Sequence, residues 1–267
     1  MLRVSTSGYY QWCRQKPSKR SQDNESLDAK IREAHAKEKC RIGSPRVTHR
    51  LRQSGLRVGR NRVASRMRSM GLRAKAARKY KATTNSNHSL PVAPNLLQQD
   101  FSATAQNQKW VSDITYVWTD EGWLYLAVVL DLYARVVVGW SMGDRMTTTL
   151  VADALKMALY KRKFPKNVIV HSDRGSQYCS REYQALLSAH NLVCSMSKRG
   201  DCYDNAAMES WNHSFKVEAV HGERFLTRAA ARAATFEYIN VYYNRTRLHS
   251  RLGYLSPDAF EAKHSLS

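Results

Sequence analysis

The hydrophobic rhythm of the chain changes near Lys109. Up to about residue 73 apolar residues recur at helical spacing. Beyond Lys109, alternating and near-continuous apolar runs are interleaved with helical ones. In the first part, residues 24–39 (NESLDAKIREAHAKEK) are rich in helix formers and predict a helix. GSPRVTHRLRQSG follows, in which Ser44 suits an N-cap, Pro45 the first helical position and Gly55 the stop. Val47 and Leu51, four apart, form its buried edge. A second helix is predicted over 60–70, with Val63, Met67 and Met70 as its apolar stripe and Gly71 as its end.

Residues 74–108 show no period and are rich in Pro, Asn and Ser, which predicts a linker or extended arm with a basic start. KWVSDITYVW then alternates as a strand, with a turn at Glu121-Gly122. WLYLAVVLDLYARVVVGWSM supplies two more strands around a bend at 131–135. A helix over 147–162, the short strand VIVHS, a helix over 180–190, the strand LVCSMS and a helix over 204–220 complete the series. Three antiparallel strands followed by helix–strand repeats predict a mixed α/β sheet with helices on its faces. A long helix over 227–244 and a C-terminal tail follow. The domains expected are therefore a basic helical region (1–73), a linker (74–108), an α/β core (109–225) and a C-terminal helix and tail packed on that core (226–267).

Charge sharpens this division. The formal net charge is +21; residues 1–100 hold 23 Lys and Arg against 6 Asp and Glu, and residues 101–267 hold 20 against 16. A basic module beside a nearly balanced domain reads as a nucleic-acid grip joined to something else. The two short helices joined by a tight turn are helix-turn-helix-like, and Arg60, Arg62, Arg66 and Arg68 on the outer face of the second are suited to phosphate. The five cysteines contain no Cys-x-x-Cys, which argues against a disulfide framework or a four-ligand zinc site and suits a reducing cytoplasm. The sequence has no apolar run of 18 residues and no hydrophobic leader, so no membrane is expected.

Three acids carry the candidate chemistry. Asp113 interrupts the first strand, Asp173 follows VIVHS directly, and Glu209 lies one turn inside a helix, with Lys216 seven residues later on the same face. Fifty-nine residues separate the first pair and 35 the second. A carboxylate inside an apolar strand is costly unless it is paired or bound to a cation. Oxygen-only ligands suit hard divalent ions such as Mg²⁺, and two such ions about 3.5–4 Å apart serve phosphoryl transfer. Asp204 is read as the cap of the Glu209 helix, and Asp131 as either supporting the site's acids or structural. His171 is open to a supporting or a DNA-contact role.

The Asp113–Asp173–Glu209–Lys216 series resembles the DDE core of transposases and retroviral integrases, which has an RNase H-like fold. HSDRGSQY (171–178), CYDNAAMES (202–210) and YNRTRLHSRLGYLSP (243–257) are similar to the OrfB-type transposases of bacterial insertion sequence family three, and the likeness extends over nearly the whole chain. It implies an RNase H-like mixed five-stranded sheet flanked by helices, preceded by a small all-α helix-turn-helix-like domain. It implies that Asp113, Asp173 and Glu209 hold two Mg²⁺ or Mn²⁺ ions, that Lys216 contacts DNA, and that His171, Arg174, Gln177 and Tyr178 line the site. Arg174 is taken with Lys216 as a DNA contact, and Asn205 as a cap or orienter of the glutamate's helix. Tyr243, Asn244, Arg247 and His249 match the C-terminal signature without a derivable role, whereas Tyr242, Leu252 and Tyr254 can simply dock the tail. The function implied is metal-dependent cleavage and strand transfer at mobile-element ends and target DNA, by a homo-oligomer in the bacterial cytoplasm. An upstream OrfA segment or OrfAB fusion is expected to supply a helix-turn-helix and zipper. A nuclease that cannot join strands and an inert DNA-binding remnant are the rival readings.

Overall fold

The computed structural model of the protein describes residues 5–16, 18–75, 91–198 and 202–264. They form two compact units, Met1–Ala76 and Ala77–Ser267. In the first unit, α1 (Thr6–Arg14) buries none of its residues. The helices α2 (Lys19–Lys37), α3 (Ser44–Gln53) and α4 (Arg60–Ser69) enclose a small core of Leu27, Ile31, Ile42, Val47, Leu51, Val58, Val63 and Met67. The predicted stripes of α3 and α4 are thus the buried ones, with Met70 packed at the margin. α2 starts earlier than its composition indicated because Ser18 Oγ accepts a hydrogen bond from Ser21 N at 3.2 Å. The N-cap of α3 is Gly43, and Ser44 is already helical, its carbonyl accepting from Thr48 Oγ1. Gly55 and Gly71 follow α3 and α4 at φ +86° and +69°, where a side chain would be strained.

The second unit is built on a five-stranded sheet of order β3-β2-β1-β4-β5. Its strands are β1 (Lys109–Thr119), β2 (Gly122–Asp131), β3 (Val137–Gly143), β4 (Ile169–Ser172) and β5 (Val193–Met196). β1, β2 and β3 are antiparallel neighbours, whereas β4 runs parallel to both β1 and β5. Parallel pairs need crossovers, which α5 (Thr148–Lys161) and α6 (Arg181–Ala189) provide. Thr147 and Ser180 cap these helices through their hydroxyls. This is the RNase H-like mixed sheet expected from the sequence.

Each face of the sheet carries its own core. Trp110, Ala127 and Val129 pack with Leu150, Leu155, Leu159 and Leu187 of the crossover helices. Val111, Val128 and Leu130 on the other face pack with Trp211, Phe215 and Tyr238. α5 lies so close to β3 that a Cβ at Gly139 would fall 2.1 Å from the Ala154 carbonyl oxygen. Only glycine permits that approach.

The helix predicted over 204–220 is compound: a 3₁₀ turn (Cys202–Asn205), α7 (Ala206–Phe215) and a π-helical turn (Lys216–Val220). Similarly, α8 (Arg228–Phe236) runs into a second π-helical stretch, Glu237–Tyr243. The tail ends in α9 (Pro257–His264) and belongs to the same compact unit. The stretch expected as a linker, 74–108, departs from that reading in its second half. Leu97 is buried among the sheet's core residues, and Leu96 N donates to Ser195 Oγ at 2.9 Å. Leu97, Phe101 and Ala103 pack on the core at irregular spacing in polar sequence, which leaves no period to read, so composition pointed to an arm. Residues 76–90 of that stretch lie outside the described residues. Among the described residues, no helix is long and apolar enough to cross a membrane.

Candidate active site

The site grows from an open strand edge. β1 pairs with β2 from Trp110 to Thr119 but with β4 only over Lys109–Val111. From Ser112 onward the β4-side edge of β1 therefore has no strand neighbour, and its backbone groups need other partners. Side chains supply them at alternate residues, as the antiparallel ladder requires. Asn205 Nδ2 donates to the Ser112 carbonyl at 3.4 Å, Asp113 Oδ1 accepts from Ile114 N at 2.8 Å, and Lys216 Nζ donates to the Tyr116 carbonyl. Asp113 is thus fixed at the point where the sheet splays open. It faces α7, whose Asn212 donates to Asp113 Oδ2 at 2.7 Å.

Asp173 reaches the same place from the end of β4. One residue past that strand, its Oδ1 accepts from Gly175 N at 2.9 Å in an Asx-type turn. A Cβ at Gly175 would meet that oxygen at 3.0 Å and Gln177 Oε1 at 3.1 Å. Glu209 lies in the first turn of α7 and is exposed. Electrostatics join the three. Burial and then the charge of Asp173 push the Asp113 carboxyl well above the usual range, and Glu209 adds to the effect. Partial desolvation raises Glu209 as well. Beneath them, Tyr178 is fully buried, shares a hydrogen bond with Ser112 Oγ at 3.0 Å, and is held protonated chiefly by burial and by the charges of Asp113 and Asp173.

The donor chemistry would suit hard cations: carboxylate oxygens carried by a strand, a strand end and a helix. The closure is incomplete, since among the described residues no group of three His, Cys, Asp or Glu is gathered tightly enough to hold a metal ion. Asp113 and Asp173 each spend an oxygen on a backbone N–H, and Asp113 spends its other one on Asn212.

Other expectations land differently. His171 is completely buried, with Nδ1 2.8 Å from Ser195 Oγ and Nε2 3.1 Å from Ser197 Oγ, and burial lowers its pKa to about 4. It supports β4 and β5 and is closed to DNA. Arg174 turns to the Ser197 carbonyl at 2.6 Å, and Gln177 to the Met146 carbonyl at 3.1 Å. Asp204 is not the helix cap: it is buried and accepts from Lys198 N at 2.7 Å, while Asn205 occupies the N-cap position. Of the two roles open to Asp131, the structural one holds: it accepts from Asn107 N and Tyr133 N. Lys216 lies with its Nζ 4.4 Å above the Tyr116 ring, and burial lowers its pKa to about 8. Sequence reasoning missed Asn212, although its place between Glu209 and Lys216 on one helical face was a usable signal.

In the basic unit, Arg60, Arg62 and Arg68 are exposed, Arg62 also donating to Asn24 Oδ1 at 2.9 Å. Arg66 is not on the outer face. It is half-buried and its guanidinium grips Asp28 of α2, with Nε–Oδ1 at 2.8 Å. Through this pair Arg66 ties α4 to α2.

The chain's relatives agree with this architecture. Residues 103–202 and 209–265 match the integrase core domain families, and residues 21–80 match the HTH-like domain family. The transposase InsF for insertion sequence IS3A of Escherichia coli (strain K12) is 53% identical over 266 residues, covering 99% of this chain and 92% of that protein. An uncharacterized 31 kDa protein of insertion element IS600 from Shigella sonnei is 49% identical, covering 98% and 96%. Among solved structures, the HTLV-2 integrase catalytic core domain in complex with magnesium superposes with a TM-score of 0.42 at 15% identity, covering 60% of this chain and 99% of that one. The chain belongs to the IS3 family of insertion-sequence transposases, with an HTH-like domain ahead of an integrase core, and it acts in DNA transposition.

Proposed function

We propose that Asp113, Asp173 and Glu209 are the catalytic carboxylates of this transposase and that they hold two divalent cations, Mg²⁺ or Mn²⁺, at the open edge of β1. The observation that carries this reading is the electrostatic state of Asp113. It is a carboxyl fixed by Ile114 N and Asn212, raised by burial and by Asp173, with Glu209 adding to the same field. Such a cluster is unfavourable for the chain alone and favourable around a cation. Bound there, the ions supply the charge that activates an attacking oxygen and stabilises a leaving one in phosphodiester chemistry.

The chain's own residues do the positioning. Asn212 holds Asp113 in one rotamer, the Asx-type turn holds Asp173, and α7 presents Glu209. Lys216 leaves the Tyr116 carbonyl for a DNA phosphate, whose negative charge restores the ammonium that burial disfavours. Arg174, Arg60, Arg62 and Arg68 add phosphate contacts, and Arg66 holds their helix in place. The attacking groups are water and then a DNA 3′-OH, so no protein nucleophile is required, and buried His171 is not a base. The chain works in the bacterial cytoplasm as a homo-oligomer bridging two element ends, with an OrfA segment or OrfAB fusion adding end recognition.

The test is strand transfer by the full chain on duplexes carrying the element's ends, in Mg²⁺ and in Mn²⁺. Wild type gives joined product, and Asp113→Ala, Asp173→Ala and Glu209→Ala give none in either metal. Cleavage without joining by the wild type supports the nuclease reading, binding alone supports the inert remnant, and activity in any of the three variants removes that acid from the assignment.

A further inference from the structure

The C-terminal signature contains an arginine with more to do than dock a tail. Arg247 and Glu218 have side chains only 7% exposed. Arg247 Nε donates to Glu218 Oε2 at 2.7 Å and Nη2 to Oε1 at 2.9 Å, a two-pronged pair. Tyr238 OH donates to the same Oε2 at 2.9 Å. Nη2 also reaches Ser214 Oγ at 3.0 Å, and Nη1 lies 2.9 Å from Nε2 of His249. Ser214 belongs to α7 and Glu218 to the π-helical turn that continues it, so one guanidinium grips the far end of the helix that carries Glu209. Trp211 and Phe215 of α7 pack beside the grip, against Tyr238 and Tyr243.

We propose that Arg247 is a positioning residue for the active site: it sets the rotation of α7 and thereby the place of Glu209 and Asn212 beside Asp113. Successive residues of a helix are turned by roughly 100°. On that period Glu209, Asn212 and Lys216 form one stripe, whereas Trp211, Ser214, Phe215 and Glu218 form another, on a different side of the helix. The first stripe meets β1, through Asn212 on Asp113 and Lys216 on Tyr116. The second meets the C-terminal segment. A grip on the second stripe therefore fixes the angle at which the first is presented. The π-helical turn takes part in this, since its extra residue per turn brings Glu218 under the guanidinium while α7 stays regular through Glu209. Removing a buried bidentate partner frees that angle, and the carboxylates then lose part of their common focus.

This inference rests on the proposal that Glu209 is a cation ligand, and the experiment separates the two. Mn²⁺ binding to the full chain without DNA is titrated by loss of the free-ion electron paramagnetic resonance signal, with thermal melting recorded alongside. Arg247→Met is expected to weaken Mn²⁺ binding by about tenfold, within the range seen when partners of metal ligands are removed. Ser214→Ala, which leaves the Arg247–Glu218 pair intact, is expected to weaken it by about threefold with unchanged melting, keeping the test open should Arg247→Met fold poorly. Arg247→Lys retains charge but not the fork and is expected to fall between wild type and Arg247→Met. Glu209→Gln serves as the control: if it binds Mn²⁺ as the wild type does, the metal-ligand reading fails first. If Glu209→Gln weakens binding while Ser214→Ala and a folded Arg247 variant both bind as the wild type does, the positioning role is overturned alone.

Discussion

Glu209 and Glu218 lie near opposite ends of one helical stretch, and their surroundings differ in kind. Glu218 is buried, and its oxygens are taken by two guanidinium N–H groups and a tyrosine hydroxyl. Glu209 is exposed, and its charge adds to the burial and the Asp173 charge that raise Asp113. Where the fold needs a carboxylate for architecture, the chain supplies the counter-charge itself. Where we propose that carboxylates do chemistry, the counter-charge would come from outside. Burial alone would have ranked these groups in the opposite order of functional interest.

The largest expected effect tests that division directly. Breaking a buried pair strands a charge away from water, so Arg247→Met is expected to cost about 3–5 kcal/mol of stability. Asp113→Asn removes repulsion, and its amide can still accept from Ile114 N and donate to Asn212 once that amide turns its Oδ1 inward. It is therefore expected to leave stability unchanged or raise it by about 1 kcal/mol, although it abolishes strand transfer. Urea unfolding of both variants in the absence of divalent ions measures the contrast. If Asp113→Asn proves the more destabilising, the two clusters are not built on different principles.

How much of this was legible beforehand follows the same line. Periodicity and punctuation located the strands and helices, since Gly55, Gly71, Thr147 and Ser180 act through local backbone geometry. The acids were legible because a strand that alternates apolar residues has no local use for Asp113. Partnerships across many residues were not. Asn212 with Asp113, Arg247 with Glu218 and Arg66 with Asp28 are decided by tertiary packing. Asp204 reads as a cap by position, but the loop from β5 uses it first. The π-helical turns have no composition of their own, and they follow from what their side chains must reach.

A second, smaller effect uses pH. Asp113 has a folded pKa above its unfolded one, so the folded chain holds the extra proton, and this contribution to stability is lost as pH rises from the ordinary carboxylate range toward the raised value. His171 works the other way: with its pKa lowered to about 4, it stabilises the fold as pH rises from there through its unfolded value near about 6.5. Above neutrality the His171 contribution is complete and the Asp113 cost remains. Mg²⁺ at ten times its dissociation constant stabilises by about 1.4 kcal/mol. That gain is expected to be larger at pH 7.5 than at pH 5.5, where protons compete for the carboxylates, and to vanish in Asp113→Asn. Melting curves at the two values, with and without Mg²⁺, check it. A gain that Asp113→Asn leaves intact would place the ion elsewhere.

The smallest effect concerns Lys216, which stands between the two clusters with its ammonium over Tyr116. Burial lowers its pKa to about 8, so the free protein loses this proton as pH rises through that value. A phosphate contact that depends on the ammonium must then weaken with it. Lys216→Met is expected to reduce DNA affinity about threefold to tenfold at pH 7 and to lower the salt dependence by about one counterion. At pH 9 the difference between wild type and variant should shrink, because a neutral amine offers the phosphate little more than a methyl group does. Binding titrations at both pH values and two salt concentrations decide the matter. A difference that persists in full at pH 9 means that the side chain contributes shape rather than charge, and Lys216 then belongs with Arg247 among the residues that hold the helix.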